Sequence, residues 1–254
     1  MAGEAKSTAF MLGTATVMLG ARADLFDLNP TDHSIGLVKN FRVMSEPAYT
    51  DLTQGVKNTI VYSVMTGNTV RASMEVFEYT GRNLTYALGL EGSDVVAQTV
   101  ATTVTTASTA EAATLTVESA TGITAGDQIL IQHGTSDHVL VRRVVSVASD
   151  VLTVFPALEK VVPIGAKVMK ANALQVGSKE DQPFLAAKIV GMLADGTEVV
   201  LLCPKIRITN GFSVGFMTDN FDNLPYELAF YDLVTGDPFF AEFGGAQAKL
   251  LTRK

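Results

Sequence analysis

The chain has 254 residues, 47% of them apolar, a formal net charge of -7 and one cysteine. That length allows one large or two modest domains with enough apolar surface for a core. The single Cys203 excludes an internal disulfide framework, the scattered lysines and arginines argue against a nucleic-acid groove, and no stretch is apolar enough for long enough to cross a membrane as a helix.

The first apolar run, Thr8–Ala21, fits either of two readings. It can be the apolar region of a signal peptide, with Ala21-Arg22-Ala23 as cleavage site, or a strand or hairpin of the folded chain. Glu4 set against Lys6 makes the flank no clear basic region, and Gly13, Thr14 and Thr16 interrupt the run, so the strand is preferred. Ser34–Met44 reads as a strand with Ile35, Leu37, Phe41 and Val43 on one face. Asn58–Val64 alternates through Ile60, Tyr62 and Val64, and Thr69–Phe77 through Val70, Ala72, Met74 and Val76. Such period-two patterning predicts half-buried antiparallel strands, with a turn expected at Thr66-Gly67-Asn68. Ser45–Lys57 is too polar and too long for a tight turn and reads as a long loop or an extended, exposed hairpin tip. Thr80–Leu88 predicts a short helix, capped by Thr80, apolar along Leu84, Ala87 and Leu88, and ended by Gly89.

A composition change follows. Gln98–Ala113 lacks Gly, Pro and aromatics and reads as an Ala/Thr-rich polar linker; Ala171–Ser178 is a second mild polar stretch. Between them, Thr114–Val117, Gln128–Gln132, Asp137–Val147, Val151–Phe155 and Ala166–Lys170 are candidate strands separated by Gly and Asp turns. Five short strands there predict a small inserted barrel or sandwich, residues 98–177 with its linkers, inside a discontinuous β-domain formed by residues 1–97 and 178–254.

The host pattern resumes with Phe184–Met192, an Asp195-Gly196 hairpin turn and a return strand Glu198–Cys203 that Pro204 is expected to interrupt. Ile206, Ile208, Phe212, Val214 and Phe216 then alternate, with a bulge expected at Asn210-Gly211. Tyr226, Leu228 and Phe230 share one face of Pro225–Tyr231, and Phe239–Lys254 reads as a flexible or partner-docked end.

No catalytic, cofactor or metal site is expected. His133 and His138 flank a turn without a third ligand, Asp219–Asn223 lacks the Gly and distal Glu of a calcium loop, and Gly244–Lys249 lacks the spacing of a phosphate loop. Asn83-Leu84-Thr85 matches a glycosylation acceptor but falls on the expected helix, and Cys203 reads as a small buried apolar residue.

Four stretches resemble bacteriophage major tail tube proteins: the strand, long loop and strand from Gly36 to Val64; RASMEVFEYTGRNLTYALGL from Arg71 to Leu90; the Leu193–Asn210 hairpin with its Asp-Gly turn; and NLPYELAFYDLVTGD from Asn223 to Asp237. Order and spacing carry the likeness, which covers most of residues 1–95 and 175–240. The block 114–170, with GITAGD and a following VxSVxxxxLTV hairpin, is similar to small β-modules inserted into phage virion proteins. The resemblance implies a mainly β, tail-tube-type sandwich or barrel with one short helix, carrying a small β-module that projects from the outer surface. It implies self-assembly, one host pattern per chain giving six-fold rings that stack into a hollow conduit, and contact with other tail proteins. It implies a chain made in the host bacterial cytoplasm and found in the virion tail, the module favouring a non-contractile one.

In that frame the loop reaches the next ring, and Tyr49, Leu52 and Val56 are the expected inter-ring contacts, since they are apolar in an otherwise polar stretch. The net charge implies a neutral or negative lumen past which viral DNA moves without specific binding, with Glu75 and Asp222 assigned to it because each accompanies a strand with an opposite apolar face. Two other classes are weighed. A surface adhesin needs export, which Met1–Ala23 serves poorly. A sugar-active enzyme needs aromatic platforms, and the chain has no Trp.

Overall fold

The computed structural model describes residues 15–54, 56, 58–90, 98–132, 138–174, 176–177, 182–215 and 221–252. The chain is mainly β and divides into two compact units, Met1–Val95 with Val176–Lys254, and Val96–Gln175.

The first unit is a seven-stranded antiparallel sheet. Before the inserted unit run β1 (Thr16–Ala21), β2 (Val38–Gln54) and β3 (Thr59–Val76); after it run β10 (Leu185–Met192), β11 (Glu198–Asn210), β12 (Leu224–Phe230) and β13 (Lys249–Thr252). The order is β1-β10-β11-β12-β3-β2, with β13 also on β11. Of the run Thr8–Ala21, residues up to 14 lie outside the described residues; Val17 and Leu19 are buried in β1.

One face of this sheet holds the main core. Val17 and Leu19 of β1, Ile206 and Ile208 of β11, Tyr226 and Leu228 of β12 and Met74 and Val76 of β3 share one cluster with Tyr86 and Ala87. The helix over it, α2 (Gly81–Ala87), starts where Thr80 accepts the amide of Asn83 at 3.1 Å and ends before Gly89, whose φ of +73° suits the missing side chain. Its buried residues are largely polar: Asn83, Thr85 and Tyr86 beside Ala87, while Leu84 and Leu88 are half-buried. The expected apolar stripe is thus shifted, because Asn83 donates to the carbonyls of Ile35 (2.9 Å) and Glu78 (2.7 Å), and Tyr86 to that of Leu19 (3.2 Å). These bonds satisfy backbone groups that a Leu would leave unpaired. On the other face, a second cluster of Met18, Ala186 and Leu202 is covered by Leu25, Leu28, Leu233 and Phe243.

Several expectations are corrected. Two further short helices exist, α1 (Pro30–His33) and α3 (Phe240–Phe243). The C-terminal stretch is ordered through Thr252, since Lys249–Thr252 pairs with Val199–Leu202. Pro204 does not interrupt β11: it sits at a register shift towards β10 and between the segments paired with β13 and β12, where no ladder donor is needed. The shift further along falls between Ile208 and Asn210, β11 ends at Asn210, and Phe212 and Val214 lie exposed beyond it. Phe216 lies outside the described residues. At the start of β2, Asn40 (φ 54°) makes a bulge that resets the alternation, so Val38 is buried while Leu37 and Val43 are exposed.

The second unit is a closed barrel in the order β4-β5-β8-β7-β6-β9. Its strands are β4 (Ala101–Thr106), β5 (Thr114–Val117), β6 (Gln128–Gln132), β7 (Val139–Ala148), β8 (Val151–Phe155) and β9 (Lys167–Ala171). β4 lies within the stretch read as a linker. It closes the barrel against β5 and β9 with one fully apolar inward residue, Val104, while the Thr102 hydroxyl accepts the Ser119 amide at 3.1 Å. Leu115, Ile129, Ile131, Leu152, Val154 and Val168 fill the interior.

Candidate functional site

β2 and β3 are far longer than the sheet they belong to. β12 pairs with β3 only from Arg71 to Val76. Beyond that point β3 pairs with β2 alone, from Ser45–Val70 to Gln54–Thr59. The result is a two-stranded arm that reaches about 30 Å past the sheet at about 3.4 Å per residue. The stretch Ser45–Lys57 is therefore mostly strand, the extended-hairpin alternative, although Gly55 and Lys57 lie outside the described residues. The Thr66-Gly67-Asn68 signal is not a turn. β3 runs straight through it, and the register jumps from Ala48–Gly67 to Tyr49–Met65, leaving Thr66 as the extra residue of a bulge.

Pairing fixes which side chains share a face. Tyr49 stands opposite Met65 and Asp51 opposite Ser63; Thr50 opposite Val64 and Leu52 opposite Tyr62 line the other face. Tyr49 and Leu52 are therefore on opposite faces of one ribbon. Polar contacts hold the hairpin together: the Ser63 hydroxyl donates to Asp51 at 2.6 Å, Ser45 to Asn68 at 2.9 Å and Thr66 to the Ala48 carbonyl at 3.3 Å.

No core covers either face. Tyr49 is 58% exposed, Leu52 64% and Tyr62 65%, and Val56 at the tip is fully exposed. Ile60, Val61, Val64 and Met65 are also exposed. Ile60, Tyr62 and Val64, expected on a half-buried strand, are corrected here: their only ladder partner is the other strand of the arm. Their period-two pattern was visible; what marked them as exposed was the polar sequence of the partner strand, which offers no second layer to bury them.

The two acids lie apart from the arm. Glu75 sits on β3, on the face opposite Met74 and Val76, in register between Lys39 of β2 and Pro225 of β12. Asp222 precedes β12 rather than standing on it. It accepts the Tyr79 hydroxyl at 2.7 Å and the Gly215 amide. The Tyr79 hydrogen bond holds its carboxyl below the usual range, while burial and Asp222 push the Tyr79 hydroxyl up to about 12. Asp222 thus staples a connection, with its charge partly engaged.

No protein-family model matches the chain. No curated protein matches it in sequence. Among the described residues no three His, Cys, Asp or Glu side chains converge on a point that could hold a metal ion, and no helix is long and apolar enough to cross a membrane. His133 and Asp219 lie outside the described residues. Cys203 is buried in the sheet core, and burial pushes its thiol far up, away from reactive thiolate. The Asn83 amide is spent on two backbone carbonyls inside the fold, so it is closed to modification in the folded chain.

Proposed function

We propose that the chain is a structural subunit of a bacteriophage tail tube, assembling with copies of itself into rings, six subunits to a ring, that stack into a hollow conduit for genome ejection. The observation that carries the reading is the arm. A two-stranded ribbon with apolar residues on both faces is marginal in water on its own. Contiguous exposed apolar surface of this kind marks a protein contact. Burying Tyr49, Leu52, Tyr62 and Val64 against a neighbour would contribute about 1–3 kcal/mol each.

In this reading the arm, with Tyr49, Leu52 and Val56, reaches the adjacent ring, Glu75 is a lumen-facing acid, and Asp222 shapes the connection before β12. The product is made in the bacterial cytoplasm and resides in the virion tail. Viral DNA passes through the conduit without specific binding. The edge strand β2 offers 17 residues of backbone with one partner, which suits lateral contact between subunits.

Negative-stain electron microscopy of the purified full chain tests the proposal. Rings or tubes of uniform diameter are expected; a strictly monomeric protein across the micromolar range would count against it.

A further inference from the structure

The two long strands carry exposed apolar surface at both ends. One end is the arm. The other is a rim of the sheet, where β2 begins at Val38, β3 ends at Val76, β12 begins at Leu224 and β11 stops at Asn210. Leu37, Tyr79, Phe212 and Val214 are exposed around it.

Hydrogen bonds hold the rim together. The Phe77 amide donates to the Leu37 carbonyl at 3.1 Å, and the Leu37 amide to Glu78 at 2.9 Å. The Tyr79 hydroxyl donates to Asp222 at 2.7 Å and lies 3.4 Å from the Ser213 carbonyl, while Asp222 also accepts the Gly215 amide. Residues 36–39, 77–79 and 211–215 are thereby tied to one another. The charged groups on these segments are engaged among themselves: Glu78 and Asp222 in the bonds just given, and Lys39 over the Phe77 ring, 4.7 Å from its centroid. The arm is similar. From residue 48 to residue 67 its one charged side chain among the described residues is Asp51, which accepts the Ser63 hydroxyl. Surfaces whose charges are already satisfied give up little on leaving water, and their apolar residues gain by it.

We propose that the rim of one copy receives the arm of a second copy. The face of the ribbon that carries Leu52, Tyr62 and Val64 packs on Leu37, Tyr79, Phe212 and Val214, and Asp51, on the other face, stays towards water. An arm-to-arm contact would be self-complementary, would close on two copies and would leave the rim bare. The arm-to-rim contact covers both apolar surfaces at once. Because they lie at opposite ends of the same strands, it runs head to tail and propagates. Burying these seven side chains removes about 700 Å² from water, below the about 1,200 Å² of a stable pair. One such contact is therefore weak, and a ring presenting several in parallel supplies the avidity. In this respect the inference rests on the ring reading given under Proposed function.

The test pairs an arm variant, Leu52→Asp/Tyr62→Asp, with a rim variant, Leu37→Asp/Val214→Asp, each in the full chain. All four positions are exposed, so both variants should melt at the wild-type temperature. Sedimentation and negative-stain microscopy read the assemblies. Wild type should form long tubes, and each variant alone should stop at single rings. Mixing the two kinds of ring should give ring pairs of twice the mass and nothing longer, since the rim variant keeps a working arm and the arm variant a working rim. Pairing in the mixture would also show that both variants are folded. Long tubes from the rim variant alone would overturn the proposal and leave the tail-tube reading standing, as would blocked variants that fail to pair when mixed. Absence of rings from every chain, wild type included, would overturn that reading and this proposal with it.

Discussion

The inserted barrel and the host's arm are built from the same kind of strand, yet they solve opposite problems. In the barrel, every strand has two partners, and alternate residues from Val104 to Val168 meet inside. In the arm, each strand has one partner, and both faces of the ribbon meet water. β-branched residues and period-two alternation therefore predict a strand, but not a buried face. Burial comes from closure or from a second layer. The barrel supplies its own; the arm needs another chain.

Removing the arm should break the comparison most completely. Pro47 and Asn68 already face each other, so replacing residues 48–67 by an Asn-Gly turn closes a short hairpin at the sheet. The subunit should remain folded, with its melting temperature within a few degrees, and sedimentation should show no tubes at any concentration. Long tubes from this variant would remove the arm from assembly.

A pair of leucines sharpens the contrast. Leu152 is fully buried in the barrel and Leu52 is 64% exposed on the arm. Leu152→Ala should lower unfolding stability by about 2–5 kcal/mol through the cavity it leaves. Leu52→Ala should stay within about 0.5 kcal/mol in the unassembled subunit, yet weaken assembly. Chemical denaturation of each, with light scattering for assembly, separates the two. Equal destabilisation would mean that the arm folds onto a core of its own chain.

The same contrast explains what was legible in the sequence. Most barrel strands show in alternation punctuated by turns, because closure leaves a strict inside and outside. β4 did not, because Ala101–Thr106 contributes Val104 as its one large inward residue and otherwise reads as polar. In the host, strand-forming residues were visible but their partners were not. Pro204 and Thr66-Gly67-Asn68 look like breaks until pairing shows that each falls at a register shift. The C-terminal strand was hidden for a similar reason: all four residues of Lys249–Thr252 are exposed, so backbone pairing alone fixes it. Of the candidate site, Tyr49, Leu52 and Val56 could be singled out as apolar residues in a polar stretch. Ile60, Tyr62, Val64 and Met65 could not, since only the register places them on an arm.

Charge separates the two units as well. In the host, Asp237 accepts from Lys205 at 2.8 Å and from the Val234 amide at 3.0 Å, and pairs with Arg22 at 2.8 Å. The Lys205 hydrogen bond leads in holding its carboxyl well below the ordinary range. A depressed carboxyl adds stability that is fully present above the unfolded value of about 3.9 and is lost as pH falls through the lower folded value. Asp237→Asn should therefore melt below wild type at pH 7 and pH 5 by the same margin, and the margin should close only below about pH 4. Thermal scans across that range check it; a margin independent of pH would exclude the ionised pair.

The barrel carries the converse case, with the smallest expected effect. Arg142 lies on β7 between the inward residues Leu140 and Val144 and is 5% exposed. Its nearest carboxylate, Glu159, is 3.6 Å away and 73% exposed, and its Nε and one terminal nitrogen lack hydrogen-bond acceptors. Desolvation of the guanidinium is thus poorly offset, and an unbranched apolar side chain of similar length should serve as well. Arg142→Met is expected to leave unfolding stability unchanged or raise it by about 1 kcal/mol. Glu159→Gln should move it by no more than about 0.5 kcal/mol, since an exposed partner contributes little. If Arg142→Met instead cost as much as Leu152→Ala, the barrel interior would have to satisfy that charge, and closure would depend on a polar contact as well as on its apolar lining.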